Sequence, residues 1–494
     1  MINLTKSHIS RKLFPIALIF CLALTSILGL QTTGDRNTPS GVEPSPFFNV
    51  TLLVPANNPI RIDWVDLIAE KLELIGIGIT AIDVAPWADA MARTVEHPGP
   101  YPIPTYDFGG YDIFFVGWVQ ETIEWLQVED LFSSAKFVPN GYNYYQYSSA
   151  TFDYELLNID CTGWAHQQYI RRLQEILFED LPSIPVVYPR DVYAMLCTVL
   201  PVGLCLWHNA FQPMDMWKKL GDTSFVYARP GYFNTTSICH PYLAESVADR
   251  QWLSQIYDSL LYPLNCTYPT WERRIAISHS HDNCTVWTVD IDPNAKWADG
   301  TPVTSDDVVF SYEAMMEPTL NSPYATLLDE HLDSVSAIDA YTVEFVLKEA
   351  YAFGELLLSY PLIPKHIWES VDYEDWETQA YTWATTDPSK IIGCGPFKLQ
   401  QADDPSDTVI LEKNTYFRDL LNYDEPNFET ITFVRYADKA AALSALSIGE
   451  VDIVDARFDL ELSELDIPGI SYSIVPTRTV QELGVNMDHP YLGT

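Results

Sequence analysis

Ten histidines, eight cysteines and 67 carboxylates are this chain's stock of acid–base, nucleophilic and metal-binding groups. Their spacing organises almost none of it. The sequence holds no His-Glu-x-x-His, no Gly-x-Ser-x-Gly, no P-loop and no dinucleotide fingerprint. Carboxylates are so abundant that a pair at glycosidase separation could be chosen anywhere, so no chosen pair carries meaning. His279 and His281, in Ser-His-Ser-His-Asp, form the one tight histidine group in the sequence. They read as a loop or strand end with a surface role rather than as a metal site. No Cys-x-x-Cys or other zinc spacing links the cysteines. Cys266 and Cys284 flank a candidate hairpin and are expected to pair, and the seven cysteines beyond residue 30 leave at least one thiol free. What remains is a chemistry of recognition: 29 Tyr and 14 Trp can supply the apolar walls of a ligand cleft. Trp118 is the leading candidate, because it ends the apolar strand YDIFFVGW, where a strand end of an open α/β sheet meets a crevice.

The elements that must position such a cleft are many. At 494 residues the chain exceeds one ordinary core, so two or three domains or two large lobes are expected. With 28 basic against 67 acidic residues, a formal charge of −39, nucleic acid and anionic lipid surfaces are repelled. Lys6, Arg11 and Lys12 precede the apolar run Leu13–Leu30, so residues 1–30 read as a signal peptide or N-terminal anchor and the chain as exported. Residues 31–46 form a Pro-, Gly-, Ser- and Thr-rich linker. Sequons at Asn49, Asn234, Asn265 and Asn283 suit an exported surface.

Beyond the linker, Val50–Pro55 reads as a strand. Arg61–Ile75 reads as an amphipathic helix, with Val65, Ile68, Leu72 and Ile75 on one stripe and Gly76 closing it. Ile77 and Ile79 open the next strand, giving a β-α-β unit of a mostly parallel sheet. Tyr169–Leu181 and Gln251–Leu261 read as helices and Val286–Ile291 as a strand. Thr304 with Asp307 makes a capping box. Val343, Phe345 and Leu347 alternate along a strand. Asp438 caps a helix over Lys439–Ile448, and Val451–Val454 follows as a strand.

Trp297-Ala-Asp-Gly300, Asp306-Asp307-Val308, Gly393-Cys-Gly-Pro-Phe397, Leu446-Ser-Ile-Gly-Glu-Val-Asp-Ile453 and Leu483-Gly-Val-Asn-Met487 stand in that order along the chain. Together they resemble the first half of the solute-binding proteins of family 5, the peptide- and nickel-type extracellular components of ABC transporters. The segments VTLLVPANNPIR, GYDIFFVGW, PNGYNYYQYSSATFDYELL and LQEILFEDLPSIPVVYP resemble the second half, so the halves stand in reversed order. The resemblance implies an α/β, two-lobed periplasmic-binding-protein-like (type II) fold, with mixed sheets and flanking helices, permuted or incomplete. A permutant that lost a piece, the front of a tandem protein and an incomplete frame are the three readings of that order. The implied organisation is a second-half block at 47–210, a linker at 211–223, a first-half block at 224–482 and a hinge strand at 483–494.

The resemblance further implies that closure of the two lobes captures a small solute, peptide first, and passes it to ABC permease subunits. Membrane association would come through the N-terminal anchor or through docking on the permease. Ligand contacts are expected from Trp118, Gln120 and Glu121, from Asn143, from Tyr232, Phe233 and Asn234, and from Asn486. Trp297, Asp299, Gly300, Gly393 and Gly395 are expected to shape turns. No catalytic residue, metal or cofactor is expected. A secreted hydrolase acting on glycan or peptide, and a ligand sensor without an import role, are the rival readings.

Overall fold

The computed structural model describes residues 45–493, apart from 57–58, 120–125, 160, 162, 188–189, 201–213, 232, 234–238, 245, 264–270, 404–405, 418–424 and 477–478. Residues 1–44, with the expected N-terminal signal or anchor and most of the expected linker, lie outside the described residues. The chain divides into two compact units. Unit 1 comprises Met1–Asn158, Ile170–Tyr188 and Thr479–Thr494, and unit 2 comprises Ile159–Tyr169 and Pro189–Arg478.

Strand β1 (Phe48–Pro55) opens the chain, followed by helix α1 (Pro59–Leu74), β2 (Ile77–Ala85) and β3 (Ile113–Val119). Helix α2 (Gly163–Asp180), β4 (Ser183–Val187), β5 (Arg190–Leu196), β6 (Ser224–Arg229) and helix α3 (Val247–Leu253) come next. An antiparallel layer follows, built from β7 (Ala276–Asp282), β8 (Val286–Ile291), helix α4 (Ser305–Met315), β9 (Leu332–Asp339) and β10 (Thr342–Leu347). The remaining elements are β11 (Phe397–Asp403), β12 (Thr408–Lys413), β13 (Thr430–Arg435), helix α5 (Lys439–Ser447), β14 (Ile453–Val454), β15 (Ile470–Pro476) and β16 (Thr479–Val485).

In unit 1 the strand order is β2-β1-β3-β16-β4, with β1 parallel to β2 and β3 and with β16 antiparallel to β3 and β4. β1 is buried from Val50 to Pro55 without alternation, as a central parallel strand covered on both faces must be. Helix α1 lays Val65, Ala69 and Leu72 against Val50, Leu52 and Val54. Gly76 turns the chain at φ 88°, and a Cβ there would lie 2.6 Å from the Phe47 ring.

Unit 2 carries a seven-stranded mixed sheet, β11-β12-β13-β6-β14-β5-β15, in which β13, β6 and β14 run parallel. It also carries the antiparallel sheet β7-β8-β10-β9. β8 and β10 alternate buried and half-buried residues, so Trp287, Val289, Val343 and Phe345 face inward. Helix α4 closes over them, with the Tyr312 and Phe345 rings edge to face at 4.9 Å. Its capping box holds: the Asp307 carboxylate accepts the Thr304 backbone N–H at 2.9 Å, and it also takes the Lys365 N–H at 3.0 Å. The observed class is therefore α/β, with mixed sheets and flanking helices. Among the described residues no helix is long and apolar enough to cross a membrane.

Three local expectations are corrected. The helix expected over Gln251–Leu261 is α3, Val247–Leu253. Ser246 caps it by accepting from Ala248 and Asp249, and the carbonyls of Gln255 and Ile256 serve Phe397 and Gly395 instead of a further turn. The helix expected to begin at Tyr169 begins at Gly163. Cys284 is bonded to Cys161, with 6.1 Å between their Cα atoms. The expected partner, Cys266, lies outside the described residues. The turn between β7 and β8 brings Cys284 to a segment 123 positions earlier in the chain, which no local spacing announces.

Candidate functional site

The carboxyl ends of parallel strands are where open α/β sheets bind ligands, because helix starts and loops converge there without a side-chain-filled core. In unit 2 the parallel strands β6, β13 and β14 end at Arg229, Arg435 and Val454. That edge is charged. Arg229 is fully buried; its Nη1 donates to the Ala248 carbonyl at 2.9 Å, while Nε and Nη2 meet no described acceptor. Burial lowers its pKa to about 10, opposed chiefly by the charge of Asp249. Arg435 lies 3.5 Å from Asp407, whose carboxylate accepts the Phe233 backbone N–H.

Asp455 follows β14 directly and is almost fully buried. It accepts from Arg457 Nη2 at 2.6 Å, from Tyr227 Oη at 3.0 Å and from Gln251 Nε2 at 3.2 Å. Burial pushes this carboxyl up, but Arg457 and the hydrogen bonds outweigh burial and hold it below the usual carboxylate range. Asp191, on β5, goes the other way. Burial, aided by the charge of Asp455, raises it to about 6. Two carboxylates on neighbouring strands are thus driven apart, one fixed as an anion and one poised near neutrality.

The corresponding edge of unit 1 is the end of β1, β2 and β3. Trp118 sits there in β3 with its backbone opposite Val480 of β16; its side chain, and the whole of Gln120 and Glu121, lie outside the described residues. Tyr232 and Asn234 likewise lie outside them.

The described candidates are Asn143, Asn486 and Phe233. Asn143 is fully buried; its amide donates to the carbonyls of Ser133 and Tyr147, each at 2.9 Å, and accepts from the Tyr147 N–H at 3.2 Å. Asn486 is equally buried and donates to Tyr111, Ile103 and Pro104 carbonyls at 2.8, 3.2 and 3.2 Å, while its oxygen accepts from Asp488. Tyr111 joins the two positions, since its hydroxyl donates to the Tyr144 carbonyl at 2.8 Å. Both asparagines therefore hold loops of one buried cluster in unit 1. Phe233 belongs to unit 2, where its ring is buried beside Tyr381 at 6.1 Å and Trp252 at 6.4 Å.

The same unit 1 cluster holds Glu482 on β16. It accepts from Tyr144 at 3.0 Å and also from the hydroxyls of Tyr145 and Ser183. Sequence reasoning passed over Arg229, Asp455 and Glu482. For Arg229 a signal did exist: a cation closes the apolar strand Ser224–Arg229, where another apolar residue would be ordinary.

The hallmark motifs have structural work. Trp297 is buried, and Asp299 accepts the Thr301 N–H at 2.9 Å within the turn. A Cβ at Gly393 would stand 2.1 Å from the Ile256 carbonyl oxygen, so that backbone approach requires glycine.

The profile of the bacterial extracellular solute-binding proteins, family 5, matches residues 240–494. The chain belongs to that family. Among curated relatives, the periplasmic oligopeptide-binding protein OppA of Escherichia coli is 27% identical over 242 residues, 45% of this chain and 41% of OppA. A putative ABC transporter peptide-binding protein of Brucella ovis is 32% identical over 161 residues, 32% of this chain and 28% of its own. The chain thus spans about two fifths or less of the curated relatives it matches. Among solved structures, the oligopeptide-binding protein AppA of Bacillus subtilis, in complex with a nonapeptide, shares 25% identity at a TM-score of 0.39, covering 46% of this chain and 43% of AppA. The murein tripeptide-binding protein MppA of Escherichia coli shares 20% identity at a TM-score of 0.40, covering 47% of this chain and 46% of MppA. These relatives are binding proteins rather than enzymes.

Proposed function

We propose that this chain is the extracellular solute-binding component of an ABC importer, capturing a small solute, peptide before other classes, and delivering it to membrane permease subunits without making or breaking bonds in it. The observation that carries the reading is the charged carboxyl edge of unit 2. Arg229, Arg435, Asp455 and Arg457 are fixed ionic groups of the kind that anchor a polar ligand, and no nucleophile stands beside a base among the groups described at that edge. Family membership and the peptide-binding relatives favour peptide. Trp118, Gln120, Glu121, Tyr232 and Asn234 are the proposed ligand-facing residues, and Asn143, Phe233 and Asn486 are proposed as supports within their own units. A site in the exported compartment and association with the membrane through an anchor or the permease belong to the same proposal.

The reversed order of the two family halves is also proposed. Its support is reciprocal: β16, which runs from the first-half block into the hinge strand, lies between β3 and β4, and β5 of the second-half block lies between β14 and β15.

Thermal unfolding against a panel of di- and oligopeptides, oligosaccharides and nickel tests the function. A ligand present at ~100 times its Kd stabilises the folded state by about 2.7 kcal/mol and raises the midpoint accordingly. A folded protein whose midpoint no member moves would count against transport binding. Turnover of a glycan or peptide panel would favour the hydrolase.

A further inference from the structure

Three metal-ligating side chains meet at one point of unit 2. Cys161, in the segment Ile159–Tyr169, is bonded to Cys284, and both His281 ring nitrogens lie close to Cys161 Sγ, Nε2 at 3.5 Å and Nδ1 at 3.7 Å. The ligand atoms of all three residues fall within 4.8 Å of one another, close to twice a zinc–ligand bond of about 2.0–2.3 Å. The two sulfurs are buried and the imidazole is exposed, so the cluster opens to solvent through its histidine.

The local backbone is built around this point. His281 ends β7, and the turn Asp282–Thr285 leads into β8 with the Thr285 N–H donating to the Asp282 carbonyl at 3.0 Å. Asn283 and Cys284 occupy its centre at φ 48° and 58°. Such a turn favours Asn followed by Gly, since glycine has no Cβ to strain there. Cysteine in the glycine place is locally unfavourable and is held by its sulfur. The Cys284 backbone N–H also points to His281 Nδ1 at 3.3 Å, and the imidazole lies 4.8 Å from the Trp287 ring. Histidine and cysteine are thereby held together by the turn itself, independently of Cys161.

We propose that Cys161, Cys284 and His281 form a redox-gated zinc site: closed as the disulfide, and binding one Zn²⁺ when the disulfide is reduced. An external dithiol converts the disulfide to two thiols by giving up two electrons and two protons and closing to its own disulfide; a phosphine does so by giving up two electrons while water supplies the two protons and leaves its oxygen as the phosphine oxide. Zn²⁺ then displaces both thiol protons and takes two thiolates, one imidazole nitrogen and a solvent water as the fourth ligand. Neither sulfur can serve while bonded to the other, so the oxidised chain has no such site. This inference concerns a place apart from the charged strand edge, and it stands or falls separately from solute capture.

The test uses the full chain reduced with a phosphine, freed of reductant and titrated anaerobically with Co²⁺ as a visible probe and with Zn²⁺ in competition. The expected result is one equivalent bound with a thiolate-to-cobalt charge-transfer band. Oxidised protein and Cys161→Ser should show no such band, His281→Asn should bind at least ~10-fold more weakly, and Cys197→Ser, which removes the exposed thiol among the described residues, should match the parent. Reduced parent that binds no cobalt, or binds it as well after Cys161→Ser, would show a structural staple only and overturn the proposal. If reduction alone loosens the fold, near-ultraviolet circular dichroism decides. One equivalent of Zn²⁺ should restore the native signal in the parent but not in Cys161→Ser, and failure to restore it overturns the proposal equally.

Discussion

The two units bury a carboxylate near the end of the chain in opposite ways. In unit 1, Glu482 is held by the hydroxyls of Tyr144, Tyr145 and Ser183. In unit 2, Asp455 is held by a bidentate Arg457, with Tyr227 and Gln251 completing its shell. A buried anion must be solvated by something, and dipoles and a cation are the two available means. The hydroxyls described around Glu482 fix a strand within its unit. A guanidinium cancels the charge, and beside Arg229 and Arg435 it leaves a strand edge rich in cations within a chain of net charge −39. The comparison sets unit 1's cluster, bonded to its own backbone and strands, against unit 2's edge, for which recognition is proposed.

The sharpest way to break the contrast is Asp455→Ala. It strands Arg457, Tyr227 and Gln251 together and should cost about 3–5 kcal/mol in urea unfolding. A loss near zero would mean that the Asp455 shell is not formed. Asn486→Ala comes next, because the Ile103, Pro104 and Tyr111 carbonyls each lose a donor, of which Pro104 alone keeps a described one, the Tyr111 N–H. About 2–3 kcal/mol should disappear, as a change in unfolding midpoint rather than only in ligand affinity. A stable variant with lost binding would instead return Asn486 to the ligand. Tyr145→Phe removes one of the described donors to Glu482 and should cost about 1.5–2 kcal/mol.

The smallest effect carries a sign. Asp191 has its folded pKa raised to about 6, so the folded state holds an extra proton between the ordinary carboxylate value and pH 6. Its contribution to stability is present at acid pH and is lost as pH rises through that window. Asp191→Asn should therefore stabilise by about 1–2 kcal/mol at pH 8, after discounting for solvent screening, and change nothing at pH 3. Equal effects at both pH values would contradict the assignment.

Much of the scaffold was legible in the sequence because it is local. The stripe Val65, Leu72, Ile75, the Gly76 turn and the Thr304–Asp307 capping box each depend on residues a turn or two apart. The site was less legible because its partners are distant. Gln251 meets Asp455 and Arg457 across more than two hundred positions, and Cys161 meets Cys284 across 123. Helix α3 also stops early for a non-local reason, since the Gly393–Phe397 loop takes its next carbonyls. The resemblance points to Asn143 through its polar loop and to Asn486 through the hinge strand, and in the fold both amides are bonded to backbone.

The central claim is capture without chemistry, and native mass spectrometry of the full chain with its best stabilising peptide tests it most directly. One peptide of unchanged mass per chain, released intact after prolonged incubation, is the predicted result. Peptide fragments appearing with enzyme-like turnover, or no complex under conditions that keep the protein folded, would contradict it.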